Sequence, residues 1–150
     1  MSKHTHSSEF YKYKNCFFKV NATKSKHIRV DIQKAILGQL LTMAEHHRKL
    51  FIFRFDLHIS TYTKDNKLVT SFNRRLFKRI KRYYKITRIG FIWVREQEKA
   101  KQQHYHYVLM LDGSKVNNPY SIQTWIEEIW SFNDGSCHWA GYHNIDRDTS

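Results

Sequence analysis

From Phe51 to Ser60 the chain alternates, with Phe51, Phe53, Phe55, Leu57 and Ile59 on one side and Ile52, Arg54, Asp56 and His58 on the other. A period of two marks a strand with one buried face. Two more apolar runs lie between Arg88 and Asp112, separated by the polar stretch Gln97 to Gln103. They predict two strands joined as a hairpin. A shorter segment, Cys137 to Ile145, predicts a fourth strand.

Helical spacing fills the gaps between these strands. Ile32, Ile36, Leu40 and Ala44 recur every four residues, with Leu37 and Leu41 beside them, and predict a helix from Asp31 to about His47. Phe72, Leu76, Ile80 and Tyr84 share a second helical face, with Ser71 or Asn73 placed to cap it. Ile122, Trp125, Ile126, Ile129 and Trp130 form a third, opened by the only proline, Pro119, and closed by Phe132-Asn-Asp-Gly. Residues 1–29 show no period and read as a flexible or irregular N-terminal arm, with Phe17, Phe18 and Val20 available to dock. Residues 30–150 read as one domain. From Phe51 onward the order is strand, helix, strand, strand, helix, strand. This predicts an α+β, ferredoxin-like (split βαβ) antiparallel sheet with its helices on one face, preceded by an N-terminal helix. The other face is left for a site.

Composition then narrows the class of partner. Twenty-six Lys and Arg against 13 Asp and Glu leave a formal charge of +13 on 150 residues. Such a field draws polyanions, nucleic acid first. The cations gather on the second helix, where Arg74, Arg75, Lys78, Arg79, Lys81, Arg82 and Lys85 run without an intervening acid. This face is expected to contact nucleic-acid backbone. Two distant cysteines and no leader-like start argue for a reducing cytoplasm. No run of about 18 apolar residues predicts a membrane span.

Candidate chemistry lies on the hairpin. His104 and His106 must point to the same side of their strand, close enough to reach one ion. Spacing alone is weak, because His4-Thr5-His6 supplies the same pattern in the tail. Context adds to it: a hairpin looped through Gln97 to Gln103 sets Glu96 opposite His104 and Val94 opposite His106, with Glu98 as the alternative if the register slips. The neighbouring central strand adds Asp56 and His58 to that face. Three readings stay open. The residues hold a divalent metal; or they form the wet side of a half-exposed sheet, with Glu96 paired to Arg95 or a lysine; or the histidines stack on bases together with Tyr105 or Tyr107. Cys137, His138 and His143 could form a zinc cluster, but a buried cysteine beside strand histidines accounts for them as well. There is no glycine-rich phosphate loop, and no nucleotide cofactor is expected.

The stretch WVREQEKAKQQHYHYVLML resembles the His-hydrophobe-His motif of HUH endonucleases, with Tyr105 in the middle position. The ordered set FRFDLH, RRLFKRIKRYYK, IGFIWVRE, HYHYVLMLDG and WIEEIW is similar to inovirus-type replication initiators with a YagK/YfjJ-type domain, over roughly residues 35 to 145. The resemblance implies an HUH-type fold and rolling-circle chemistry on single-stranded DNA or an origin hairpin, in a bacterial host and from a phage or mobile element. It also implies metal ligation by His104 and His106, with Mg²⁺ or Mn²⁺ as the ion and Zn²⁺ being possible; the hairpin register offers Glu96 as the third ligand, with Asp56 and His58 in support. A tyrosine would attack the scissile phosphate and keep a 5′-phosphotyrosine. The resemblance places that tyrosine in a Tyr-x-x-x-Lys helix beyond the last strand; no tyrosine from Tyr11 to Tyr120 has a lysine four residues on, and Tyr142, the one late candidate, also lacks it. The chain as given is therefore expected to bind DNA without cutting it. The competing expectation is a non-catalytic basic module that binds single strands on the same sheet face.

Overall fold

The computed structural model describes residues 5–6, 10–13, 16–19, 28–97 and 103–149. Glu98, Val20 and His4 lie outside them. Their elements are β1 (Thr5–His6), β2 (Phe10–Tyr13), β3 (Cys16–Lys19), β4 (Ile28–Arg29), α1 (Val30–His46), β5 (Lys49–Ile59), α2 (Lys67–Tyr84), β6 (Gly90–Gln97), β7 (Gln103–Asp112), α3 (Tyr120–Trp130) and β8 (Gly135–Asp146), with short 3-10 turns at Ser131–Asn133 and Arg147–Thr149. The chain divides into two compact units, Met1–Thr42 and Met43–Ser150. In the first, where the sequence suggests an irregular arm, β1 pairs with β4 and β2 with β3, both antiparallel.

The second unit carries the four-stranded sheet, in the order β6-β7-β5-β8 with every neighbour antiparallel. Counted from β5, that is the ferredoxin-like order 4-1-3-2 read from β8. The odd-numbered residues of β5 are its buried side: Phe51, Phe53, Phe55 and Leu57 are fully enclosed. Tyr105, Tyr107, Leu109 and Leu111 of β7 join them. Val69, Phe72, Leu76 and Ile80 of α2 and Ile122, Ile126 and Trp130 of α3 close the core from above. Phe72 stands edge-on to Tyr107 at 5.9 Å and to Trp130 at 5.6 Å, so both helices cover the same sheet face. Each such aromatic side chain removes roughly 150–250 Å² from water, which makes this layer the main source of stability.

α2 begins a turn earlier than its Ser71 or Asn73 cap signals suggest. Val69 is fully buried and extends the apolar stripe backward, so the helix starts at Lys67. Asn66 does not cap it: its Oδ1 accepts from Arg95 Nη1 at 3.2 Å and from the Tyr105 hydroxyl at 3.3 Å instead. Tertiary bonding outbids the local cap.

The other sheet face divides into two ends. Met43, in the last turn of α1, is buried along with Leu50 and Met110. A Cβ added at Gly90 would lie 2.8 Å from Met43 Cγ and 3.2 Å from Met110 Cβ, so that glycine lets the helix turn approach the sheet. His47 Nδ1 sits 3.6 Å from Asp112 Oδ2 at the same end. The opposite end of this face carries the histidines.

Candidate functional site

The ladder sets the candidate residues side by side. Glu96 of β6 is opposite His104 of β7, His104 is opposite His58 of β5, and His106 is opposite Asp56. Directly opposed residues project to one face. β8 adds His138 opposite Asp56 and Ser136 opposite His58. The hairpin register expected from sequence is the observed one, and Glu96, His104, His106, Asp56 and His58 share one end of one face.

Their side chains form two groups. His106 lies between two carboxylates, its Nδ1 2.8 Å from Asp56 Oδ1 and its Nε2 2.5 Å from Glu96 Oε2. Burial works to lower its pKa, but the hydrogen bonds and charges of Glu96 and Asp56 together outweigh burial and leave it raised. The ring is clamped by a carboxylate oxygen at each nitrogen. Glu96 therefore reaches diagonally to His106 and not to His104, which it faces across the ladder. The second group is His58 with His104, their ring centroids 4.2 Å apart at 56°. His104 Nε2 is buried with no hydrogen-bond partner. Burial, then the neighbouring His104, lowers the pKa of His58 and favours its neutral form, against an opposing pull from Asp56.

A neutral imidazole and an orphaned ring nitrogen are what a cation can use, and the nearby carboxylates supply oxygen. The donor chemistry thus fits a divalent ion. Among the described residues, however, no three His, Cys, Asp or Glu side chains are gathered as a ready ligand set. Both ring nitrogens of His106 are engaged, and ligation through it would require Glu96 or Asp56 to turn.

The profile of the YagK/YfjJ C-terminal domain family matches residues 7–132. The chain belongs to that family. No curated protein matches it. Among solved structures, the de novo designed protein Foldit4 is similar at 9% identity, covering 65% of this chain and 96% of that one with a TM-score of 0.36, too low to carry any argument.

In this YagK/YfjJ C-terminal domain the other candidates fall elsewhere. Tyr142 pairs with Phe53 across the ladder, and its ring lies 5.8 Å from Phe51, on the helix side of the sheet. Its phenol is held above the ordinary value, chiefly by Tyr120. It is not brought to the histidines. Tyr105 and Tyr107 are buried in the core and offer no ring to a base. Arg95 does not pair with Glu96; it points to the helix side and donates to Gln103 Oε1 at 2.7 Å, to Asp65 O at 3.2 Å and to Thr63 O. Cys137 is opposite Leu57 on the core side while His138 faces the open side, so no Cys137–His138–His143 cluster forms.

The basic residues of α2 are all exposed and line its outward surface. Because α2 lies on the core side, this surface looks away from the histidine face. Arg75, Lys78, Arg79 and Arg82 border one shallow hollow. Arg79 is partly engaged, 2.5 Å from Glu128 Oε2 and 5.5 Å above the Trp125 ring. Sequence reasoning singled out both surfaces, and the expected sheet with its helices on one face and the site on the other already set them apart. It missed His138 as a neighbour of Asp56, because the two lie 82 residues apart and the β8–β5 pairing contains a bulge between Arg54 and Phe55. Among the described residues, no helix is long and apolar enough to cross a membrane.

Proposed function

We propose that this chain is the metal-dependent HUH-type domain of a rolling-circle replication initiator, binding single-stranded DNA on the histidine face of its sheet. The observation that carries the reading is the convergence of two unclamped imidazoles, His58 and His104, with the Glu96–His106–Asp56 triad on one accessible sheet end. His104, His106 and Glu96 would hold an Mg²⁺ or Mn²⁺ ion, with His58 and Asp56 beside them. Once bound, the ion would polarise a phosphodiester oxygen and offset its developing charge. Ligation through His106 would release one of its two carboxylate contacts, and the other would go on orienting the ring. Cleavage needs a tyrosine on this face. None of Tyr105, Tyr107 and Tyr142 points there, so these residues are expected to bind and not to cut.

Titration of the protein with Mn²⁺, followed by calorimetry or by the loss of free-ion paramagnetic signal, tests the reading. Binding should occur at one ion per chain and fall at least tenfold in His104→Ala and in His58→Ala, a loss of about 1.4 kcal/mol or more. If Mn²⁺ does not bind, or binds equally to both variants, the reading fails.

The engagement of both His106 nitrogens favours a second reading, a non-catalytic basic module that holds single strands without metal. In that case oligonucleotide affinity is the same in Mn²⁺ and in chelator. The HUH reading requires it to rise with the ion.

A further inference from the structure

On the helix side of the sheet, Arg75, Lys78, Arg79 and Arg82 of α2 border a hollow of about 370 Å³. The neighbouring α3 faces it with Glu128, whose carboxylate is taken by Arg79 at 2.5 Å. Among the described residues Lys78 and Arg82 form no ion pair, so the hollow keeps a net positive charge. A phosphate chain is the complementary occupant.

Two exposed rings flank these cations. Phe132, just beyond α3, is 77% accessible, and the Arg75 guanidinium carbon lies 5.1 Å from its ring centroid. Tyr83, in the last turn of α2, is 61% accessible and is held nearly perpendicular to Tyr84 at 4.8 Å and to Trp125 at 5.1 Å. Trp125 is itself covered by Arg79, at 5.5 Å. A single exposed aromatic side chain is ordinary. Here one ring stands at each end of a row of free cations, each fixed by a neighbour and open to solvent. Arg75 and Tyr83 are eight residues apart on one helix, about 12 Å along its axis. At about 3.4 Å per stacked nucleotide, that is room for three or four.

We propose that the hollow between α2 and α3 is a second nucleic-acid site, separate from the histidine face, which holds a short run of single strand. Arg75, Lys78 and Arg82 would take the phosphates, and Phe132 and Tyr83 would each stack on a base. The rings decide for a single strand: phosphate contact alone asks only for cations, whereas an open aromatic face gains from a base whose own face is free, and a duplex hides those faces in its stack. Glu128, by holding Arg79 over Trp125, keeps that guanidinium packed against the floor of the hollow.

Anisotropy titration of the whole protein with a short labelled oligothymidylate, in the presence of chelator, tests this. Phe132→Leu and Tyr83→Leu keep apolar bulk and remove the flat ring; each should weaken binding at least about fivefold, the low end for one stacked base, while Phe132→Trp holds the parent affinity. An abasic strand of the same length, which offers phosphates without bases, should bind parent and variants alike. Irradiation of a bromouracil-substituted strand should place crosslinks on Phe132 or Tyr83. Unchanged affinity in both leucine variants overturns the proposal. So does a parent that holds duplex as tightly as single strand, or crosslinking confined to the sheet face. Mn²⁺ titration enters none of these readouts, so this site and the ion site at the histidines fail separately.

Discussion

Gln103 is the one polar side chain in the core that is fully enclosed, at 0% exposure among the described residues, and it makes four hydrogen bonds. Its Oε1 accepts from Thr63 N at 3.0 Å and from Arg95 Nη2 at 2.7 Å; its Nε2 donates to Thr63 Oγ1 at 2.8 Å and to the Tyr105 hydroxyl at 3.0 Å. Together with Asn66 these bonds tie the β5–α2 connection to the base of the hairpin that presents His104. Gln103→Leu keeps similar bulk and removes all four. Three neutral bonds at about 1 kcal/mol and one charge-assisted bond at about 2 give an upper figure near 5 kcal/mol. Arg95 keeps its bonds to Thr63 O and Asp65 O, Tyr105 keeps Asn66, and Thr63 is only part-buried, so water can replace some of the loss. The expected net loss is about 2–3 kcal/mol, seen as a lower urea midpoint with an unchanged slope. For a chain of this size that corresponds to a fall of roughly 5–10 °C in Tm. A loss below about 0.5 kcal/mol, the level of an ordinary surface substitution, would refute the claim that this network holds the connection.

Three further outcomes follow from particular groups. Burial raises the carboxyl of Asp112, but hydrogen bonds from the Ser114 side chain and N–H, with His47 and Lys115 nearby, outweigh it and leave its pKa below 3.8. Its stabilisation is complete above that unfolded value and lost as pH falls through the lower folded one, so Asp112→Asn should destabilise near neutral pH and much less near about pH 3. Equal losses in urea unfolding at both pH values would contradict this. Burial, then Glu127, pushes the Cys137 thiol from 9.0 up to about 11. Its thiolate fraction at neutral pH is therefore about a hundredfold below that of an unperturbed thiol, and iodoacetamide should label it correspondingly slowly in the folded protein and normally in urea; similar rates in both would be a failure. Lys78→Glu with Arg82→Glu should lower the salt slope of oligonucleotide binding by roughly two while leaving Mn²⁺ titration unchanged, since these residues and the histidines lie on opposite faces. An altered Mn²⁺ affinity would argue against that separation.

What the sequence made legible follows the range of each signal. The strand–helix–strand–strand–helix–strand order and the Glu96–His104 register are local: a five-residue hairpin connection and a clean two-residue period fix them. The side-chain pairing within the site is not local. Glu96 faces His104 but bonds to His106, because Asp56, fifty residues earlier, has already drawn one nitrogen of that ring. The start of α2 was hidden for a similar reason: its apolar stripe extends to Val69, while Asn66, the natural cap, is taken up by Arg95 and Tyr105. The covering of one sheet end by Met43 depends on Gly90, whose contact with a helix 47 residues earlier no local pattern announces.

The opposed placement of the basic helix and the histidines is a consequence of topology and not of local sequence. In a ferredoxin-like order both crossover helices lie on one face, so any charge on α2's outer surface must be a helix layer removed from a site on the other face. With a helix about 10 Å across packed on the sheet, the guanidinium and ammonium groups stand roughly 15 Å or more from the histidines, measured through the core. One extended strand cannot touch both without passing around an edge. Of the two edges, β6 carries Arg95, whereas β8 itself has no Lys or Arg but meets Arg48 at Asp146. Under the proposed function, a nucleic acid that reached both surfaces would have to pass around an edge or an end of the sheet.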